Sequence, residues 1–210
     1  MNLNKAVAKI GSAIVTVTVF LFALFLIVDA TYWSFFVCLL LPIGFIMMTA
    51  GLHHECPEDR RTAGTVGMMF AAVYCTLIMI VYFAQITSVA NEQLGEQAAA
   101  LINFKKYGLI FNLDLLGYGM MALSTFFTGL AMRAKNRADK ALKLLLMLHG
   151  AFFPGCIIMP MTGVFAKHSA SGNGSGGALA LVIWCIYFLP VGILAFRHFG
   201  QRTEKNEKGC

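Results

Sequence analysis

Six long runs of apolar residues, separated by short polar connections, make up most of the chain. They cover residues 10–30, 33–52, 63–87, 107–132, 144–166 and 179–199. A helix needs about 20 apolar residues to cross a hydrocarbon core roughly 30 Å thick, and lipid offers the backbone no hydrogen-bond partners, so each run is expected to be a transmembrane helix. The pattern predicts an all-α fold: a polytopic membrane bundle of six helices in one domain, 1–200, followed by a polar cytoplasmic tail, 201–210.

Two features of these runs predict how the helices pack and where one is irregular. Small residues recur every four positions in the third run, at Ala63, Gly67, Ala71 and Cys75. Such a stripe lets another helix approach closely. The fifth run contains Pro154 and Pro160, and each proline removes a backbone donor, so the fifth helix is the one expected to be irregular.

Composition supports a membrane protein and argues against a soluble one. Hydrophobic residues make up 59% of the chain and charged residues only 12%, which leaves too little polar surface for a soluble protein. The net charge of +6 does not indicate nucleic-acid binding, because the basic residues lie in short segments beside the apolar runs, where they meet anionic lipid headgroups. We therefore expect the lipid bilayer of the cell membrane, and no nucleic acid, as the partner.

The basic residues also predict the orientation. The N-terminus, the second and fourth connections and the tail carry thirteen of the sixteen Lys and Arg residues. Only Lys105, Lys106 and Lys167 lie in the odd-numbered connections. The positive-inside rule therefore places both termini in the cytoplasm. Tyr82 and Trp184 are expected to anchor the outer interface, as aromatic residues at headgroup level do.

An acidic residue stands inside the fourth run and is the first candidate site. Asp114 follows Tyr107 by about two helical turns, or about 10 Å. A charged carboxylate in hydrocarbon costs at least a few kcal/mol, so this group must be protonated, paired or in contact with water. The candidate ligand- or ion-binding residues are Asp114, Tyr118, Asn112 and Thr125. An alternative stays open, in which Asp114 ties its helix to another through Gln85 or Asp29.

Histidines on the predicted cytoplasmic side form the second candidate site. His53 and His54 end the second run beside Glu55 and Cys56, while His149 and His198 lie near the inner ends of the fifth and sixth. Zn²⁺ accepts all these residue types, so His54, His149 and His198 are candidate metal ligands. Their spacing does not match H-E-x-x-H, and adjacent histidines diverge by about 100° on a helix.

No nucleotide-binding or serine-hydrolase motif occurs in a fitting context, so we expect no cofactor and assign no catalytic residue. The connection 88–106 mixes apolar and polar residues, which suits either a short amphipathic helix on the membrane or an ordered cap.

The stretch Asn112 to Arg133, NLDLLGYGMMALSTFFTGLAMR, together with VYFAQIT at 81–87, resembles a family of uncharacterised prokaryotic six-span membrane proteins. Its most specific part is LDLLGY at 113–118. The resemblance implies a six-span architecture and carries no assigned activity.

These observations favour a non-enzymatic membrane protein that binds or translocates a small solute, ion or lipid through a polar feature around Asp114. Two other classes stay open: an inner-leaflet metal-dependent membrane hydrolase using the histidines, and a structural or regulatory membrane subunit. A homo-oligomer is compatible with all three, because the chain is small.

Overall fold

Helices account for almost all of the described chain. The computed structural model describes residues 2–91, 94–165 and 175–201, and contains no strand within those ranges. The α-helices are α1 Leu3–Ile27, α2 Thr31–His54, α3 Arg61–Ala84, α4 Glu96–Ile102, α5 Leu109–Ala131, α6 Arg137–His149, α7 Phe152–Met161 and α8 Ser175–Gly200. The predicted all-α class is confirmed. Of the predicted tail, the structure describes Gln201 alone. Lys167 also lies outside the described residues.

Six helical segments of the described chain are long and apolar enough to cross a membrane, and each overlaps one predicted run. They are Leu3–Ile27, Thr31–His54, Glu58–Val89, Leu109–Ala131, Arg137–Met161 and Leu181–Gly200. The first begins earlier than the apolar run does, because the side chain of Asn2 caps the helix by accepting a hydrogen bond from the backbone N–H of Lys5 at 3.0 Å. The two lysines that precede the first run are therefore helical.

The fifth segment is interrupted, as expected, but not where the prolines predict. The break between α6 and α7 falls at Gly150 and Ala151. Pro154 is the third residue of α7, where a missing N–H costs no helical hydrogen bond. A Cβ at Gly150 would lie 2.9 Å from the Cβ of Phe126, so the break coincides with a close approach to α5.

Small residues set the closest helix contacts. A Cβ at Gly11 in α1 would lie 2.5 Å from the Cβ of Met47 and 2.7 Å from the backbone nitrogen of Met48 in α2. In the predicted small-residue stripe, a Cβ at Gly67 would lie 2.7 Å from the hydroxyl of Thr128, and the Ser124 hydroxyl donates to the Gly67 carbonyl at 2.8 Å. The predicted close approach of the third helix is confirmed, with α5 as its partner.

The two ends of the bundle are identified by the segments that meet there. At one end, Asn4 contacts His54 at 2.8 Å between side-chain nitrogens, and the side-chain amide of Asn136 donates to Gln201 at 2.9 Å. At the other end, the α3 helix continues into a π-helical turn, Gln85–Val89, that leads towards α4. The termini of the described chain and the even-numbered connections therefore share one end, opposite the described parts of the first and third connections.

Tyr82 and Trp184 do not occupy the interface positions expected of them. Their side chains are 1% and 7% exposed, and both lie in the core. The expectation is wrong because the rings pack against other aromatic side chains inside the bundle, where they take part in the sites described next.

Candidate functional site

A cavity of about 270 Å³ lies at the end of the bundle that holds the α1–α2 turn and the connection before α5. Eight of its described lining residues are aromatic: Phe22, Phe25, Phe35, Tyr82, Phe104, Tyr107, Phe111 and Phe165. Three charged residues also line it, namely Asp29, Lys105 and Asp114. Asp29 and Lys105 are exposed, whereas Asp114 is 2% exposed, so the first two mark the entrance and Asp114 the interior.

The carboxyl of Asp114 is only partly satisfied by the protein. Its Oδ1 atom has no hydrogen-bond partner among the described residues. The Tyr82 hydroxyl is its neighbour from α3, and the thiol of Cys38 also lies nearby. A buried carboxyl with a free oxygen carries the desolvation cost of that oxygen without compensation, unless something in the cavity contacts it. Asp114, which lines the cavity, therefore has one carboxyl oxygen whose hydrogen-bonding capacity is unused.

Six rings of this aromatic wall contact one another, mostly in edge-to-face geometry. Phe111 meets Tyr107, Phe104 and Phe165 at centroid distances of 4.8, 5.0 and 5.1 Å. Phe35 meets Tyr82 and Phe104, both at 5.6 Å. Such pairs favour offset or T-shaped geometry and hold one another in place. The wall is thus a packed surface contributed by segments far apart in sequence.

The side-chain amide of Gln85 fixes one part of that wall. Its Nε2 donates to the carbonyl of Ile102 at 2.9 Å, and its Oε1 accepts from the backbone N–H of Phe104 at 2.9 Å. Gln85 is 3% exposed. These bonds hold the connection after α4 over the end of α3, so the connection 88–106 acts as an ordered cap in its described part. Gln85 does not serve as the partner of Asp114 that the sequence left open.

Backbone strain is concentrated at the same cavity. Among the described residues, Asp29 and Tyr107 are the non-glycine residues with positive φ, at 53° and 54°. Both line the cavity. A left-handed backbone costs a non-glycine residue roughly 1–2 kcal/mol, and such strain tends to occur at ligand-binding sites.

The structure separates the other residues predicted to share the Asp114 site. Tyr118 lies one turn along α5 and is buried, and its hydroxyl has no hydrogen-bond partner in the described chain. Asn112 is exposed on another face of the helix. Thr125 lies about three helical turns beyond Asp114 on α5, and its hydroxyl contacts His149 instead. The cavity therefore involves Asp114, with Tyr118 behind it, and excludes Asn112 and Thr125.

His149 is buried in a site of its own, with both ring nitrogens occupied. Trp184 donates its indole N–H to His149 Nε2 at 3.0 Å, so Nε2 is an acceptor and the ring proton is on Nδ1. Nδ1 lies 2.8 Å from the Thr125 hydroxyl, which itself donates to the carbonyl of Ala122 at 2.9 Å. With its lone pair engaged by Trp184, His149 has no free position for a metal.

His198 lies between two carboxylates at the opposite end from the cavity. Its Nδ1 is 2.8 Å from Asp139 Oδ1 and its Nε2 is 3.4 Å from Glu55 Oε2. Asp139, 1% exposed, also accepts from the backbone N–H of Lys135 at 3.0 Å, and the Lys135 ammonium contacts Glu55 at 3.3 Å. The His198 imidazole, and less strongly the Lys135 ammonium, lowers the pKa of Glu55 to about 2. This network links the ends of α2, α6 and α8.

The three candidate metal ligands are not brought together. His54 contacts Asn4, while His149 and His198 have the separate partners given above. Within the described residues, no group of three or more His, Cys, Asp or Glu side chains has the arrangement that could hold a metal ion.

Sequence reasoning missed Asp139 and the aromatic wall. Asp139 follows Asn136 by three residues, and the Asn136 side chain caps α6 by accepting the Asp139 N–H at 2.9 Å. That N-cap spacing was a readable signal for the start of a helix, but not for the contact with His198. The wall has no local signal, because its members come from four helices and two connections.

Comparison with protein-family models, curated proteins and solved structures finds no match for this chain. The resemblance of 112–133 to a six-span family stays a prediction.

Proposed function

We propose that the chain is an integral membrane protein of the cell membrane that binds a small organic solute from the outer side, with Asp114 as the recognising group. Insertion in lipid is supported by apolar side chains on the outside of the bundle. Phe20, Ile80 and Ile186, which belong to three different helices, are 56%, 54% and 69% exposed. Soluble monomers rarely expose apolar patches larger than a few hundred Å², whereas lipid stabilises them.

The proposed orientation, with both termini in the cytoplasm, follows from the basic residues. Lys135 and Arg60 lie at the end of the bundle opposite the cavity, near the ends of α2 and α5. A cytoplasmic location of this end agrees with the positive-inside rule. The cavity then faces the outside of the cell.

One observation carries the binding proposal: the Asp114 carboxyl, 2% exposed and with a free oxygen in the described structure, lines a cavity with aromatic walls. Ligand sites are mostly apolar with a few converging polar groups, as here. The volume of about 270 Å³ is below the roughly 300–1,000 Å³ typical of drug-sized ligands, which favours a compact solute.

Below the cavity, packed aromatic side chains separate the solute from the cytoplasmic end. Tyr118 meets Trp184 at 5.1 Å and Tyr74 at 6.0 Å between centroids, and Tyr74 meets Phe45 at 5.1 Å. Tyr74 and Phe45 are fully buried. Translocation requires these rings to separate, so binding is the function supported by this conformation.

The test is ligand-dependent thermal unfolding of the purified protein in detergent. The panel contains small cationic, neutral and anionic aromatic compounds. A ligand at 100 times its Kd stabilises the folded state by about 2.7 kcal/mol, which raises Tm by about 5–10 °C for a chain of this size. Leu115→Trp, which adds an indole to a cavity-lining position, is expected to abolish the shift.

Leu116→Trp is the matched control, because the neighbouring residue points about 100° away on the helix and does not line the cavity. It should keep the ligand-induced shift. The proposal fails if no compound in the panel raises Tm, or if the shift survives Leu115→Trp unchanged.

A further inference from the structure

We infer that the ligand of this cavity is a compact hydrophobic amine bound as a monocation, with its ammonium group against Asp114 and its apolar body against the aromatic wall. This inference rests on the proposed function and assigns the chemical class of the ligand. It depends on where the charges lie, which neighbours the interior carboxyl lacks, and what surrounds it.

The charges of the cavity favour one positive charge in the interior. At the entrance, exposed Asp29 and Lys105 carry opposite charges and offset each other. In the interior, Asp114 is the one charged residue among the described lining residues, and no described side chain of opposite charge contacts it. A buried carboxylate needs a partner of opposite charge, and a bound cation supplies it.

The surroundings of Asp114 suit an organic cation better than a metal ion. Ca²⁺ and Mg²⁺ take about six or more oxygen ligands, and the other described lining near Asp114 is mainly carbon. The Ser34 hydroxyl, which also lines the cavity, already donates to the carbonyl of Thr31 at 2.7 Å. An ammonium needs fewer oxygen neighbours, because aromatic faces stabilise a cation through their quadrupoles.

Other ligand classes fit the same lining less well. An anion would approach the Asp114 carboxylate, and the cation that lines the described cavity, Lys105, is at the entrance and exposed. A purely apolar ligand would leave the buried Oδ1 of Asp114 without a hydrogen bond, so the desolvation of that atom would stay uncompensated. A neutral alcohol would donate one hydrogen bond but would bring no charge.

The test uses one scaffold with three head groups: 2-phenylethylamine, 2-phenylethanol and 3-phenylpropanoate. Each compound is titrated into the purified protein at pH 7, and affinity is derived from the thermal shift. The amine is expected to bind most tightly. The alcohol should bind at least about tenfold more weakly, because it forms a neutral hydrogen bond in place of a charge-assisted one, and the carboxylate more weakly still.

Asp114→Asn keeps the shape of the side chain and removes its charge. It should weaken binding of the amine by about 10- to 150-fold, the range of a charge-assisted hydrogen bond, and change binding of the alcohol by less than about threefold. Asp29→Asn, at the exposed entrance, should weaken amine binding by about two- to fivefold and serves as a second variant if Asp114→Asn is unstable. Asp59→Asn is the control: its side chain is 75% exposed at the other end of the bundle, and amine binding should not change.

The outcomes separate this inference from the function on which it rests. If no compound binds, both fail. If the alcohol or the carboxylate binds as tightly as the amine and Leu115→Trp abolishes that binding, the cavity is still a binding site, but the inference that its ligand is an amine is refuted. An amine-to-alcohol affinity ratio that is unchanged in Asp114→Asn also refutes that inference. If Asp114→Asn does not fold, an unchanged ratio in Asp29→Asn refutes it in the same way.

Discussion

Removal of Asp139 should unfold this protein at a much lower temperature, although the residue lies outside the proposed binding site. The Asp139 side chain is 1% exposed, and its two oxygens accept from His198 at 2.8 Å and from the Lys135 backbone N–H at 3.0 Å. Asp139→Ala deletes both acceptors and leaves the His198 ring, 4% exposed, without its partner at Nδ1.

The expected cost follows from that burial. Breaking a buried charged pair by removing one partner destabilises a protein by about 3–5 kcal/mol, which lowers Tm by about 6–20 °C at this chain length. Unfolding can be followed with a thiol-reactive dye, since the free cysteines Cys38, Cys75 and Cys185 are 1%, 8% and 2% exposed and become accessible on unfolding.

The control is Asp59→Ala. Asp59 contacts Arg60 at 3.7 Å, but its side chain is 75% exposed, so the change should stay within about 0.5 kcal/mol. The double variant Asp139→Ala with His198→Leu should be less unstable than the sum of the single variants, because it leaves no unpaired buried ring. A loss below about 1 kcal/mol in Asp139→Ala, or strict additivity in the double variant, would refute the buried-pair argument.

Two further predictions concern acid stability and helix packing. Because the folded-state pKa of Glu55 is lowered to about 2 from its ordinary 4.5, its stabilisation is complete above pH 4.5 and is lost as the pH falls towards 2. The Tm of the wild type should fall more than the Tm of Glu55→Gln over that pH range, and an equal dependence of Tm on pH in the two proteins would contradict the prediction. Gly11→Ala should cost about 1–3 kcal/mol, because its Cβ would meet α2 at 2.5 Å, whereas Gly155→Ala, with nothing within 4 Å, should be neutral or stabilising by up to about 1 kcal/mol. Thermal unfolding that ranks these two variants in the opposite order would show that the α1–α2 contact is looser than described.

Parts of the candidate site were readable from the sequence because they depend on one helix. Asp114 stands out by its depth in an apolar run, and Tyr118 by its position one turn later. The same geometry could have excluded Asn112, since residues two apart on a helix point in nearly opposite directions. The structure accordingly leaves Asn112 exposed while Asp114 and Tyr118 are buried.

Other features depend on contacts between distant parts of the chain and have no local signal. Nothing in the neighbourhood of His149 indicates that Trp184 donates to its Nε2, yet this bond decides that the ring has no free metal-binding position. The left-handed backbone at Asp29 and Tyr107 is equally invisible, because both residue types usually adopt other conformations.

The number of long apolar helices, the all-α class and the close packing of the third helix could all be read from the amino-acid sequence, because apolar length and small-residue spacing are properties of single segments. Tertiary structure decided which polar groups meet. It joined His198 to Asp139 across 59 positions and placed Asp114 in a cavity lined by aromatic side chains from α1, α2, α3 and α5. The sequence gives the chemistry of each side chain. The burial of Asp114 and the lack of a hydrogen-bond partner at its Oδ1, which make it a candidate binding group, arise only when the helices pack.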